Sequence, residues 1–464
     1  MKVLTYLKNT WTFRFRDGML FSKKDINAIL FPVIFETLLS YLIGLMDSVM
    51  VASAGEAAVS AVSLVDAISV LFINIFAALA NGGAVVCGQF LGRKSAKDSG
   101  RAAEQMLVLL LTSALVISAV LLVFQEQILS FLFGSAEAAV RENCSIYYHI
   151  VMMSIPFIAL YNGGAALFRT TGDSSTPLRV SMVMNGINIG GNALLIYGFR
   201  MGVAGVAIPT LISRGIAMVI ILIPLFRKNS PLDVSGLRNY RPDRKLISSI
   251  LSIGIPNGVE NGMFQFGKLI LMTLISTLST AAITANAIGN TTGSLHCVIG
   301  MAANSALMAV VSRCAGAGDF TQARWYTRYF VRKTYILQGL VNLALVAGIP
   351  LVLRLYGASP QVARYAVPVM LVHGLSTLVL WPAAFMLNIS MRSAGDSRYA
   401  MWIATISMWL CRVGGSYFLV KVVGMGVLGV WVAWDLDWIF RIIFFVPRYL
   451  GHRWETKTIT DAIE

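Results

Sequence analysis

Twelve apolar runs succeed one another along the chain, beginning near residues 26, 60, 102, 142, 176, 203, 246, 282, 330, 361, 398 and 425, and they leave few folds open to it. They approach or exceed the ~20 residues that a helix needs to cross a bilayer. Hydrocarbon offers no partner to a backbone N–H or C=O, so only helices and closed barrels span it, and these runs are too long for barrel strands. The expected fold is an all-α polytopic membrane protein with twelve transmembrane helices. Composition agrees: 57% of the 464 residues are hydrophobic and 13% are charged, which leaves no soluble domain over.

The first run, Ile26 to Ala52, carries two acids, Glu36 and Asp47, where lipid tolerates none. A carboxylate at that depth costs several kcal/mol unless it is paired, protonated or facing a cavity, so each is a functional-site hypothesis; a buried helix-to-helix hydrogen bond is the plainer reading.

Net charge is +15, and the placement of the basic residues explains it without an anionic partner. Six precede the first run, four fall in Arg93 to Arg101, six in Arg227 to Lys245 and five in Arg313 to Lys333, all in alternate connections. That is the positive-inside pattern, and it predicts both termini in the cytoplasm of a cell, with the plasma membrane, a bacterial inner membrane, as the site. Residues 1–25 are basic and lack the features of a signal peptide, so they read as a retained cytoplasmic segment. Residues 227–245 read as a cytoplasmic linker between lobes at 26–226 and 246–449, and 450–464 as a cytoplasmic tail. The five cysteines form no C-x-x-C motif and the four histidines no metal-ligand spacing. No structural metal, cofactor or nucleic-acid partner is expected. The chain has no G-x-x-x-x-G-K-[ST] loop, so uphill transport would draw on an ion gradient rather than ATP.

The two halves repeat. Pro32 and Glu36 recur as Pro256 and Glu260, Gly92 as Gly316, and Met201-Gly202-x-x-Gly205 as Met425-Gly426-x-x-Gly429, all at an offset of 224. Arg169-Thr-Thr-Gly172-Asp173 recurs as Arg392-Ser-Ala-Gly395-Asp396 at 223. With six spans each, the halves enter the membrane in one orientation and form two six-helix lobes related by a pseudo-two-fold parallel repeat. That plan is common among secondary transporters.

In these motifs the chain resembles the multidrug and toxic-compound extrusion (MATE) family. The resembling residues include Pro32-x-x-x-Glu36, Met46-Asp47-Ser-Val-Met-Val51, Gly88-Gln89-x-Leu91-Gly92, Arg169-x-x-Gly172-Asp173-x-x-x-Pro177, Asn188-x-x-x-Asn192, Gly202-x-x-Gly205-x-Ala207-x-x-Thr210 and Gly254-Ile-Pro256-x-x-x-Glu260. The resemblance implies two lobes around a central cavity and secondary active efflux of organic, often cationic, compounds in exchange for protons or sodium ions by alternating access. It maps the family's cation site onto Asp47, Asn162, Asn188, Asn192 and Thr210, with Glu260 as the second-lobe carboxylate. The chemistry is consistent, because one carboxylate ringed by amide and hydroxyl oxygens suits either a proton or a sodium ion.

Two departures bear on the coupling ion. Asn192 stands where some relatives carry a second acid, and Trp381 where an acid partner for Glu260 is expected. A carboxylate without such a partner favours protons, with a transient sodium ion at Asp47 or Glu260 as the alternative. Glu36, Gln265, Lys268 and Trp381 are candidate cavity residues, Lys268 having the plainer alternative of snorkelling. Arg412 has no partner nameable from sequence. Asp437 and Arg441, spaced i, i+4, fit a local ion pair. In the Arg169-x-x-Gly172-Asp173 and Arg392-x-x-Gly395-Asp396 loops, glycine permits a sharp turn while Arg and Asp tie helix ends together. The expected partners are small organic molecules and the lipid bilayer, and the expected state is a monomer. The rival functions are a lipid-linked oligosaccharide flippase, which would need a strongly basic cavity, a membrane-embedded enzyme, for which no constellation appears, and a passive channel.

Overall fold

The computed structural model describes residues 15, 18–134, 137–227, 232 and 234–458. Parts of the expected N-terminal segment (1–25), linker (227–245) and tail (450–464) lie outside the described residues. Among those described the fold is all-α, with no strand. The helices are α1 (Lys23–Ala52), α2 (Glu56–Gly92), α3 (Ala96–Val123), α4 (Gln125–Phe133), α5 (Ala138–Met153), α6 (Ile155–Thr171), α7 (Ser175–Ala193), α8 (Ala204–Leu222), α9 (Arg244–Ser276), α10 (Thr280–Gly316), α11 (Phe320–Ala347), α12 (Ile349–Leu355), α13 (Pro360–Ala394), α14 (Ser397–Ser407) and α15 (Val427–Leu450). Counting α3 with α4, α5 with α6 and α11 with α12 as single spans gives the twelve-span layout in two sets of six. Seven spans are long and apolar enough to cross a membrane alone, α14 doing so with its continuation to Val422, and the pairs α5–α6, bent by 42°, and α11–α12, bent by 60°, do so together. The three remaining spans, α7, α9 and α15, carry polar groups in their midst: Asn188 and Asn192, Glu260 and Lys268, and Asp437 and Arg441.

The repeat is written into the backbone as well as the sequence. α2 and α10 are both 37 residues long and α3 and α11 both 28, each pair offset by 224. α7 continues as a π-helical stretch, Leu194–Gly198, and its counterpart Phe418–Val422 is π-helical too. Left-handed residues pair in the same register: Lys94 (φ 60°) with Gly318 (φ 71°), Arg200 (φ 55°) with Gly424 (φ 77°), and Gly202 (φ 57°) with Gly426 (φ 58°). Chain direction therefore reverses at matching points in each half, which fixes helix lengths and the order of the spans.

Two compact units emerge. One spans Phe31–Gly262; the other joins Met263–Ala462 to the chain up to Leu30. α1 thus changes unit just before Pro32, and α9 after Gly262. Within the first unit α2 and α9 approach backbone to backbone, since a Cβ on Gly82 would stand 2.8 Å from the Gly254 nitrogen and the Ile250 oxygen. Within the second, the start of the chain is fastened to α11: the Phe21 N–H donates to the Tyr326 hydroxyl (2.8 Å) and the Leu20 N–H to Gln322 (2.8 Å). The far end folds back onto the same helix, where Arg324 pairs with Glu455 and Trp454 is fully buried. Ser22 and Asp25 cap α1 reciprocally, the Ser22 N–H donating to Asp25 (2.8 Å) and the Asp25 N–H to the Ser22 hydroxyl (3.2 Å).

Candidate cation site

Four of the residues mapped as a cation site meet within the Phe31–Gly262 unit. α1 brings Asp47, α7 brings Asn188 and Asn192 one turn apart on a shared face, and α8 brings Thr210. The Asn192 amide donates to Asp47 Oδ1 at 3.0 Å. With the Asn188 amide turned so that both of its ends are satisfied, Nδ2 donates to the two Asp47 oxygens at 3.1 and 3.2 Å and Oδ1 accepts from the Thr210 hydroxyl at 3.1 Å. Asn188 and Asn192 are buried and Asp47 half-buried. One acceptor is left over, since Asn192 Oδ1 is buried without a donor. A carboxylate beside an unfilled amide oxygen is a set of hard oxygens lacking a positive partner, which is what a small cation supplies. Asn162 lies half-buried on α6 and is not hydrogen-bonded into this cluster.

A second acid lies within electrostatic reach of the first. Asp66, on α2, accepts from the Tyr147 hydroxyl at 3.1 Å and is close enough for its charge to act on Asp47. Arg214 of α8 is within electrostatic reach of Asp66 and donates to the Ser154 hydroxyl at 2.7 Å. Sequence reasoning passed over Asp66, although the signal was there: it is a lone acid in an apolar run, the same rule that singles out Asp47.

Glu36 is differently placed. Its Oε1 accepts from Arg169 Nη2 at 2.7 Å and from the Tyr161 hydroxyl at 3.4 Å. The acid of α1 and the arginine that leads from the last turn of α6 into the α6–α7 loop thus neutralise one another, with side-chain exposures of 10% and 20%. In that loop Gly172 closes α6 in the left-handed conformation (φ 96°), and Asp173 caps α7, accepting from the Ser175 and Thr176 N–H groups (3.0 and 3.1 Å) and the Thr176 hydroxyl (2.6 Å). The second-half loop is similar in plan. Gly395 closes α13 (φ 113°), Asp396 pairs with Arg448 of α15 at 2.8 Å, and Arg392 donates to Asn388 at 2.8 Å.

The other candidates are spread over α9 and α13. Glu260 and Gln265 are half-buried on α9, and Lys268 is exposed there. Trp381 is buried, stacked on Phe385 at 4.9 Å between ring centres. Asp437 and Arg441 form a buried ion pair at 3.1 Å along α15.

The MatE family profile matches twice, over residues 32–194 and 256–418. An uncharacterized transporter, YisQ, of Bacillus subtilis is 25% identical over 446 residues, covering 93% of this chain and 94% of that one. A probable multidrug resistance protein, NorM, of Thermotoga maritima is 23% identical over 442 residues, covering 94% of each. Among solved structures, the outward-facing conformation of a multidrug resistance MATE family transporter of the MOP superfamily superposes with a TM-score of 0.85 at 20% identity, covering 93% of this chain and 96% of that one. The two profile matches are offset by 224, the same register that pairs the helices.

Proposed function

The chain belongs to the MatE family of membrane transporters, whose profile covers both of its halves, and we propose that it is a secondary active exporter exchanging organic compounds, often cationic, for protons by alternating access. Multidrug resistance and export in the relatives' names supports the substrate class. The observation that carries the coupling is Asp47, held by two amides beside the unfilled Asn192 oxygen. Protonating this carboxylate from outside removes its charge and turns one of its two acceptor oxygens into a donor, so the two amides can no longer both keep their charge-assisted hydrogen bonds. A ligand shifts two conformations only by its differential affinity for them, so the amides of α7 and the hydroxyl of α8 are the groups through which loading is felt. Sodium at the same oxygens is the alternative cargo, and the basic connections put both termini in the cytoplasm.

The test is efflux of a fluorescent organic cation from liposomes holding the purified protein, under an imposed proton gradient and then an imposed sodium gradient. Proton-driven efflux that Asp47→Asn abolishes is the expected result. Efflux driven by sodium alone would overturn the choice of ion, and no efflux under either gradient would overturn the exporter reading in favour of a flippase.

A further inference from the structure

Two charges of the first half, Asp66 and Arg214, lie outside the amide and hydroxyl shell of Asp47. They stand on α2 and α8, alternate spans that run the same way through the lobe, each ten residues from the start of its helix at Glu56 or Ala204. Tyr147 of α5, a third span of that direction, is nine residues from Ala138. The three therefore share one level, about 15 Å along their helices. Asp47 is nearer the same face, five residues before α1 closes at Ala52.

Their contacts tie them together. Tyr147, 4% exposed, donates its hydroxyl to Asp66 Oδ1 at 3.1 Å and feels the charges of Asp66, Arg214 and Asp47. Arg214 acts on Asp66 without closing an ion pair with it. Its Nη1 donates instead to the Ser154 hydroxyl at 2.7 Å, at the bend between α5 and α6. Among the described residues, the charged and titratable groups in reach of Asp66 are thus Asp47 from α1, Tyr147 from α5 and Arg214 from α8. No group of α3 or α6, which also pack on α2, joins them.

With both acids ionised, Asp47, Asp66 and Arg214 carry one net negative charge, and one added proton brings the set to neutrality. Two carboxylates in reach of one another in a poorly hydrated place do not both ionise freely, and the guanidinium offsets only one of them. Acids placed in this way gain and lose protons as a pair. The repeat supports the grouping. At the offset of 224 Asp47 falls on Leu271, Asp66 on Asn290 and Arg214 on Trp438. The three charges occur together in one half and are missing together from the other, whereas the turn glycines Gly202 and Gly426 recur in both.

We propose that Asp66 and Arg214 set how tightly the first half holds its coupling proton: Asp47 and Asp66 form one acid pair carrying a single proton, and Arg214 is its fixed counter-charge. The proton comes from water on the side to which the lobe is open and bonds to an oxygen of one carboxylate. The other carboxylate stays ionised, and the proton leaves to water by the reverse step. Tyr147 donates to Asp66 while that acid is ionised. This rests on the exporter reading and adds to it a second carboxylate and the charge that tunes it.

The test is a pH titration of the purified full-length protein in lipid, followed by infrared spectroscopy of the protonated carboxyl C=O band, and then proton-driven efflux across a range of outer pH. The band that Asp47→Asn removes identifies the pair. In Asp66→Asn the like charge near Asp47 is gone, so the remaining band should titrate about one pH unit or more lower. In Arg214→Gln the band should titrate higher by a similar amount, and the pH midpoint of efflux should follow in both variants. Tyr147→Phe removes a hydrogen bond and no charge; it should act in the direction of Arg214→Gln, and it decides the matter if a charge substitution fails to fold. Asp66→Glu should restore the wild-type midpoint. A band unmoved by Asp66→Asn and Tyr147→Phe, or moved the same way by Asp66→Asn and Arg214→Gln, would overturn the pair. Efflux that falls in every variant with its pH midpoint unchanged, the mark of a structural role, would do so too. Opposite shifts of the band with no wild-type efflux under any gradient sustain the pair and remove the exporter. Wild-type efflux with an unmoved band does the reverse.

Discussion

At the scale of single residues, the two acids of α1 have parted company. Asp47 stays among neutral amides with a second acid, Asp66, nearby, whereas Glu36 is held by Arg169 at 2.7 Å. An acid meeting a guanidinium is largely neutralised within the protein, so its removal should be felt as stability rather than as lost coupling. Replacing one member of such a pair strands the other in a poorly hydrated place, and Glu36→Gln is expected to cost about 3–5 kcal/mol. A lowered thermal midpoint in detergent, with proton-driven efflux per folded molecule retained, is the expected result, and the exchange Glu36→Arg with Arg169→Glu should recover part of the loss. Asn192→Ala belongs to the other class. It removes a charge-assisted hydrogen bond worth about 1.5–3 kcal/mol and should, beyond that loss of stability, depress efflux per folded molecule about tenfold or more. A thermal midpoint that fell while transport held would show Asn192 to be interhelical glue.

At the scale of elements, the repeat exposes where one half is under strain and the other is not. Lys94 and Arg200 adopt positive φ at positions where the second half uses Gly318 and Gly424. A left-handed residue with a Cβ costs about 1–2 kcal/mol, and glycine's greater freedom in the unfolded chain returns about 0.5–1 of it. Lys94→Gly is therefore expected to stabilise by roughly 0.5–1 kcal/mol, read as a raised thermal midpoint, and Gly318→Lys to destabilise by a similar amount. The glycines Gly172 and Gly395 were legible in the sequence as sharp turns. What the sequence did not show is that the arginines before them do unlike things, Arg169 reaching Glu36 and Arg392 donating to Asn388. Arg169 finds its partner on α1, the helix packed against it, whereas Arg392 finds its own one turn back on α13.

At the scale of the whole molecule, the chain carries its duplication with its polarity partly inverted: an acid among amides in one half, a guanidinium against aromatics in the other. The basic connections at Arg93 to Arg101 and Arg227 to Lys245 are expected on one face of the membrane, with the loop at Gly357 on the opposite face. Single cysteines placed at Ser95 and at Gly357, in a background with the five native cysteines replaced, should be labelled from opposite sides by an impermeant thiol reagent. Labelling of both from one side would contradict the predicted orientation of the termini.

By itself the sequence determined the class, the twelve spans, the register of 224 between halves, and Asp47 as a carboxylate in lipid. Those are matters of length, hydropathy and local geometry, which a helix in a bilayer settles within its own residues. It also suggested the i, i+4 pair of Asp437 and Arg441, since both lie on one helix. Only the tertiary structure decided that Asp66 comes within electrostatic reach of Asp47, that Glu36 answers to Arg169, and that Arg412 packs between Phe264 and Trp434 with two nitrogens unfilled. In each case the meeting residues come from helices far apart in the chain. Which faces of those helices oppose one another is fixed by the packing of the whole lobe, and no spacing within a single span encodes it.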